Sequence, residues 1–174
     1  MRKLKSIALY FIFIGSTSFL FQGCGVSYSL SGGTIPDNMK TVTVLYFENI
    51  APMVFNTLAQ NFTEGLKERI RTQSRLSQVS QDGDAIFEGV ITNYVIAPAA
   101  VDATTDRAAL NRLSITVKVK YTNRIDQTGE SDFEQSFTQF KEFSGDIQAQ
   151  EAQLNLDIIK MLTEDIYNRA FANW

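Results

Sequence analysis

Between Arg112 and Asn123 the chain reads RLSITVKVKYTN, and apolar and polar residues alternate without a break. Leu113, Ile115, Val117, Val119 and Tyr121 fall on one side of an extended backbone. Ser114, Thr116, Lys118, Lys120 and Thr122 fall on the other. Successive side chains of a β-strand point to opposite faces, so this is the pattern of a half-buried strand. It requires a sheet with one covered face and one face that tolerates water, which excludes an all-helical fold.

The remaining elements are read around that strand. KTVTVLYF, Lys40 to Phe47, is rich in β-branched and aromatic residues and is expected to be a strand buried on both faces towards its end. Leu58, Phe62, Leu66 and Ile70 recur every four residues and mark one face of a helix, in which Gly65 signals close packing. DAIFEGVITNYVIAPA, Asp84 to Ala99, reads as a long strand stopped by Pro98, followed by a polar link from Asp102 to Asn111. A turn at Asp126-Gln127-Thr128-Gly129 leads to a strand near Asp132 to Phe143. A last helix, about Asp146 to Ala172, carries an apolar stripe of Leu154, Ile158, Ile159, Leu162, Ile166 and Ala170, with Asp165 and Arg169 spaced for an ion pair. The order β-α-β-β-β-α predicts an α+β (α/β) two-layer sandwich, a four-stranded mixed sheet with two amphipathic helices on one face.

The N-terminus has a different character. Arg2, Lys3 and Lys5 precede SIALYFIFIGSTSFLF, residues 6–21, which carries no charge. That run is short for a membrane span of about 20 residues, and its basic start and small residues at the end read as a secretory signal. The one cysteine, Cys24, stands at its close between Gly23 and Gly25. The arrangement resembles a bacterial lipoprotein signal, with Phe21 and Gln22 in place of the usual Leu and Ala or Ser. That resemblance implies cleavage before Cys24 and covalent N-acyl and S-diacylglycerol lipid on it. Several acyl chains, at about 0.8 kcal/mol per buried CH₂, give a stable anchor. Gly25 after the cysteine implies outer-membrane delivery, with the body on the periplasmic side. The expected organisation is a signal peptide over 1–23, an acylated tether over 24–39 and a single domain over 40–174.

Charge and composition narrow the chemistry. The formal net charge is −3. Without Arg2, Lys3 and Lys5, 13 basic residues face 19 acidic ones, which argues against a nucleic-acid groove. Histidine is absent from the sequence, removing the commonest general base and metal ligand. Glu130, Asp132 and Glu134 would share a strand face and mimic an acid pair, but no base or oxyanion donor accompanies them. Asp82-Gly83-Asp84 reads as a turn, since the rest of a calcium loop is missing. No metal, cofactor or catalytic residue is expected. Arg107, Arg112, Lys118 and Lys120 are candidates for a local basic patch that meets anionic headgroups or phosphorylated sugars, against the plainer reading of a solvated sheet face. Phe140, Phe143, Phe171 and Trp174 are candidate partner contacts.

CGVSYSLSGGTIP, TVTVLYFENIAP, NRLSITVKVKYTN, SDFEQSFTQF and AFANW, taken in order, resemble the LPS-assembly lipoprotein (LptE-like) family across Cys24 to Trp174. The resemblance implies a non-enzymatic outer-membrane lipoprotein. Such a protein plugs and helps assemble a large β-barrel translocon (LptD-like) that inserts lipopolysaccharide into the outer leaflet. Some members also bind lipopolysaccharide directly. The competing readings are a structural lipoprotein of another envelope complex and, more remotely, a carboxylate-dependent envelope hydrolase.

Overall fold

The structure, a computed structural model, describes residues 35–53, 55–101 and 108–172. The expected signal peptide and Cys24 lie outside these residues, as do Arg107 and Trp174. The elements are β1 (Thr41–Val44), β2 (Glu48–Asn49), α1 (Leu58–Gln73), β3 (Ser77–Gln78), β4 (Ala85–Val101), β5 (Ala108–Asn123), β6 (Phe133–Phe143) and α2 (Glu151–Phe171). The fold is α+β, with two helices against a mixed sheet. That sheet has six strands rather than the four expected, in the order β3-β1-β4-β5-β6, with β2 also lying alongside β4. The two extra strands, β2 and β3, have two residues each, too short to leave a periodic signal in sequence. Pairing is parallel for β1–β3, β1–β4 and β2–β4, and antiparallel for β4–β5 and β5–β6.

β5 behaves as its alternation requires: Leu113, Ile115, Val117, Val119 and Tyr121 are all buried. Across them, over β5 and β6, lies α2, contributing Leu154, Ile158, Ile159, Leu162, Ile166 and Phe171. Beside it, over β1, β2 and β3, lies the apolar face of α1, where Leu58, Phe62, Leu66 and Ile70 have no exposed surface. The helices come close at Gly65, where a β-carbon would lie 2.9 Å from Ile159 Cγ2. Phe87, Tyr121 and Phe171 form an aromatic cluster with ring centroids 4.9–5.8 Å apart. Phe171 and Phe143 are therefore core residues rather than partner contacts; only Phe140 of the three described is exposed.

The first strand departs from expectation. It ends at Val44, and Leu45 and Tyr46 are 39% and 60% exposed instead of buried on both faces. The cause is Phe47. Its N–H leaves the ladder and donates to Thr63 Oγ1 on α1 (3.1 Å), and its ring packs edge-on against Phe62 at 5.0 Å. The ring fills space over Gly89, where a β-carbon would be 2.8 Å from Phe47 Cε1. Bringing Phe47 inward turns Leu45 and Tyr46 outward.

Four further differences are local. β4 runs through Pro98 to Val101, because Pro98 pairs with Asn111 on one side and no described strand needs its missing N–H on the other. β5 begins at Ala108, inside the expected polar link. α2 begins at Glu151; residues 146–150 form turns, with Asp146 Oδ1 accepting the Gln148 N–H. The expected Asp165–Arg169 pair is replaced by tertiary contacts. Asp165 Oδ2 accepts from Gln139 Nε2 at 2.6 Å, and the Arg169 guanidinium lies 4.6 Å above the Phe133 ring.

Candidate functional site

The face of the sheet opposite the two described helices is where the sequence placed Arg112, Lys118 and Lys120. β4, β5 and β6 build it by register. Glu88 is opposite Lys120 and Val90 opposite Lys118. Across the other boundary Lys120 is opposite Glu134, Thr116 opposite Thr138, Ser114 opposite Phe140 and Arg112 opposite Glu142. One irregularity sets the composition of this face. A bulge at Thr92 lies between the pairs Ile91–Val117 and Asn93–Thr116, so even-numbered residues face outward before it and odd-numbered ones after it. Without that shift Tyr94 would point outward and Asn93 inward.

Arg112, Lys118 and Lys120 are brought together on this face, and each has an acidic partner. Lys120 Nζ donates to Glu88 Oε1 (2.6 Å), Lys118 pairs with Glu134, and Arg112 Nη2 donates to Glu142 Oε1 (2.6 Å). Arg112 also lies 4.2 Å above the Phe140 ring. The Glu88 hydrogen bond holds Lys120 protonated above its usual range, and the Lys118 hydrogen bond holds Glu134 ionised below its own. The result is a charge-balanced ladder. Sequence reasoning found its cations and missed Glu88 and Glu142, because cross-strand partners 32 and 30 residues away carry no local signal.

The apolar part of the face was not foreseen either. Leu45 and Tyr46, turned outward by Phe47, border a shallow cleft of about 500 Å³ floored by Gly89 and Val90 and flanked by Lys118 and Glu134. Val95 and Phe140 are exposed further along the same face. Long aliphatic and aromatic surface beside paired charges suits broad contact with a partner surface better than capture of a free ion.

The residues that raised a catalytic reading have structural work. Glu130 sits in the turn before β6 and does not share a strand face with Glu134. Asp132 Oδ1 accepts the Asn123 N–H at 2.7 Å, and Glu134 is paired with Lys118. Asp126 accepts from the backbone and hydroxyls of Thr128 and Ser131, which holds its carboxyl far below the usual carboxylate range and fixes the hairpin. Asp84 Oδ2 accepts the Lys40 and Thr41 N–H groups at 2.8 and 2.9 Å, clamping the start of β1; these bonds lower its pKa. On the covered face Tyr94 donates to Glu151 Oε1 (2.6 Å) and accepts from Asn155 Nδ2 (3.3 Å), pinning the start of α2 to β4. Among the described residues no group of three acidic, histidine or cysteine side chains is placed to hold a metal. No described helix is long and apolar enough to cross a membrane.

Comparison with known proteins bears on this arrangement. Two solved structures share the fold at low identity, and a third is similar to a lesser degree. CT253 from Chlamydia trachomatis, a hypothetical protein, superposes with a TM-score of 0.56 at 9% identity, covering 78% of this chain and 99% of that one. Protein XCC0632 from Xanthomonas campestris gives 0.52 at 9%, covering 79% and 92%. Rare lipoprotein B from Shewanella oneidensis gives 0.49 at 11%, covering 75% and 90%. A search of curated proteins gave no match. The family model described as LptE, lipopolysaccharide-assembly, matches residues 39–170, from the buried Met39 ahead of β1 almost to the end of α2. This chain belongs to the lipopolysaccharide-assembly LptE family.

Proposed function

We propose that this protein is an outer-membrane lipoprotein, acylated at Cys24 and facing the periplasm. It occupies and supports assembly of a large LptD-like β-barrel through which lipopolysaccharide reaches the outer leaflet. The observation that carries the reading is the family match across residues 39–170, which spans every described strand and nearly all of α2. The open sheet face is compatible with it. A barrel lumen is polar, and a face of paired charges with interspersed Leu45, Tyr46 and Phe140 can lie against such a wall without burying an unpaired ion. In this proposal the protein acts by shape and contact and performs no reaction. Arg112, Lys118 and Lys120, with Arg107, are the cations on which anionic sugar phosphates would compete with Glu142, Glu134 and Glu88.

Affinity capture of the full acylated chain from outer membrane tests the reading. A large β-barrel protein should co-purify in near-equal amount, and depletion should leave lipopolysaccharide short of the outer leaflet. Recovery of the chain with other envelope proteins and no barrel would replace this reading with that of a different envelope complex. A Cys24→Ala variant should lose palmitate label and outer-membrane fractionation; label retained in it would remove the proposed anchor.

A further inference from the structure

The two edges of the sheet are built differently. On one side β1, β2 and β3 contribute four, two and two residues, and beyond them β4 is bulged and carries Pro98. Short segments, bulges and proline are the usual ways of keeping an edge from pairing with another chain. β6 on the other side has none of these. Its eleven residues, FEQSFTQFKEF, pair with β5 in unbroken register, and no described strand lies beyond them. Its charges do not guard the edge, because each is engaged within the chain: Glu134 with Lys118, Glu142 with Arg112 and Lys141 with Asp157 at 4.0 Å.

We propose that the outer edge of β6 pairs antiparallel with β6 of a second copy of this chain, making one continuous sheet across a two-fold axis at Phe137. Side-chain chemistry selects this occupant and this register. With the axis at Phe137, Ser136 faces Thr138 of the second copy, Gln135 faces Gln139, Phe133 faces Lys141 and Glu134 faces Phe140. Hydroxyls meet hydroxyls, amides meet amides and no like charges are opposed. Moving the axis to Thr138 sets Glu134 against Glu142 of the second copy, twice by symmetry, which is unfavourable. An axis at Gln139 gives up the Phe137 pair and the hydroxyl pair. Ser136 and Thr138 are exposed, so both are available to a neighbouring strand. The pairing concerns the chain outside any barrel and stands independently of the function proposed above.

The full acylated chain in detergent tests this by sedimentation and by cross-linking. A concentration-dependent dimer is expected. Ser136→Lys with Thr138→Lys, which opposes lysines across the axis, should weaken it by about tenfold or more. The double variant Ser136→Cys/Thr138→Cys should form an intermolecular disulfide on oxidation that neither single variant forms. A native chain that stays monomeric, a dimer whose affinity ignores the two lysines, or a disulfide from Thr138→Cys alone would each overturn the proposal. Both lysines are on the exposed face of β6, where the one at position 136 would face Lys118 and the one at position 138 would replace the Thr116–Thr138 hydrogen bond, so a small loss of monomer stability is expected. Circular dichroism showing a folded chain at the assay temperature separates lost pairing from lost folding.

Discussion

The covered and open faces of one sheet are held by different physics. On the covered face Phe87, Tyr121, Ile158 and Leu162 are essentially removed from water, and the Phe87 and Tyr121 rings pack at 4.9 Å, so any change of volume is felt. On the open face the same strands are tied by side-chain pairs, each partly exposed and screened by solvent: Glu88–Lys120, Lys118–Glu134, Arg112–Glu142 and Thr116–Thr138. Stability is concentrated on one side and surface character on the other. A partner can therefore reshape its contacts with the open face at little cost to the fold.

The sharpest test of that division is Phe87→Ala. It removes the ring at the centre of the Phe87–Tyr121–Phe171 cluster and should cost about 3–5 kcal/mol, read as a fall in the denaturant midpoint with unchanged m-value. Next is Gly89→Ala. A β-carbon there meets the Lys118 carbonyl oxygen within contact distance and Phe47 Cε1 at 2.8 Å. The backbone cannot yield cheaply, so the expected loss is about 1–3 kcal/mol. Displacing Phe47 should also release Leu45 and Tyr46, so this variant, unlike Phe87→Ala, should alter the open face; proteolysis between residues 44 and 48 would report it. A stable Gly89→Ala protein would break the link drawn between the two faces at Phe47. Gly65→Ala is smaller. Alanine gains up to about 1 kcal/mol of helix propensity, but its β-carbon at 2.9 Å from the branched Ile159 outweighs this, leaving a net loss of about 1 kcal/mol.

How much of this was legible in the sequence follows the same division. From Arg112 to Asn123 β5 was read correctly residue by residue, because period-two alternation is a local property that burial on one face enforces; its first residues, from Ala108, were read as part of the link. The helices were legible through Leu58–Phe62–Leu66–Ile70 and the stripe from Leu154 to Ile166. What escaped depends on distant residues. The exit of the chain at Leu45 is set by Gly89 and Thr63, and the reversal of β4 at Thr92 has no marker in ITNY. The separation of Asp165 from Arg169 is set by Gln139 and Phe133. For the candidate site, Arg112, Lys118 and Lys120 were found because they alternate outward on β5. Their carboxylate partners were not, because the register between strands is a tertiary fact. Phe171 and Phe143 were misplaced at the surface for a related reason: a terminal position says nothing about what the rest of the chain folds over.

The smallest expected effect completes the comparison and distinguishes the faces by pH. Glu134 is held below its ordinary value of 4.5, so its contribution is complete above that pH and disappears as pH falls through the lower folded value. Lys120 is held above 10.5, so its contribution is complete below that pH and disappears as pH rises through the higher folded value. The covered face responds only to alkali. Burial holds Tyr94 and Tyr121 well above their ordinary value of 10.0, so the fold loses stability as pH climbs past that value, where the unfolded chain ionises and the buried phenols do not. Acid therefore loosens the open face together with the Asp126 hairpin and the Asp84 clamp on β1, while alkali also reaches the buried phenols of the covered face. Lys120→Gln isolates the ladder. It should leave the unfolding midpoint at neutral pH almost unchanged, and any difference should vanish at high salt, because the pair is exposed and screened. A large, salt-independent loss in this variant would mean that the ladder carries the fold, and the two faces could no longer be assigned separate roles.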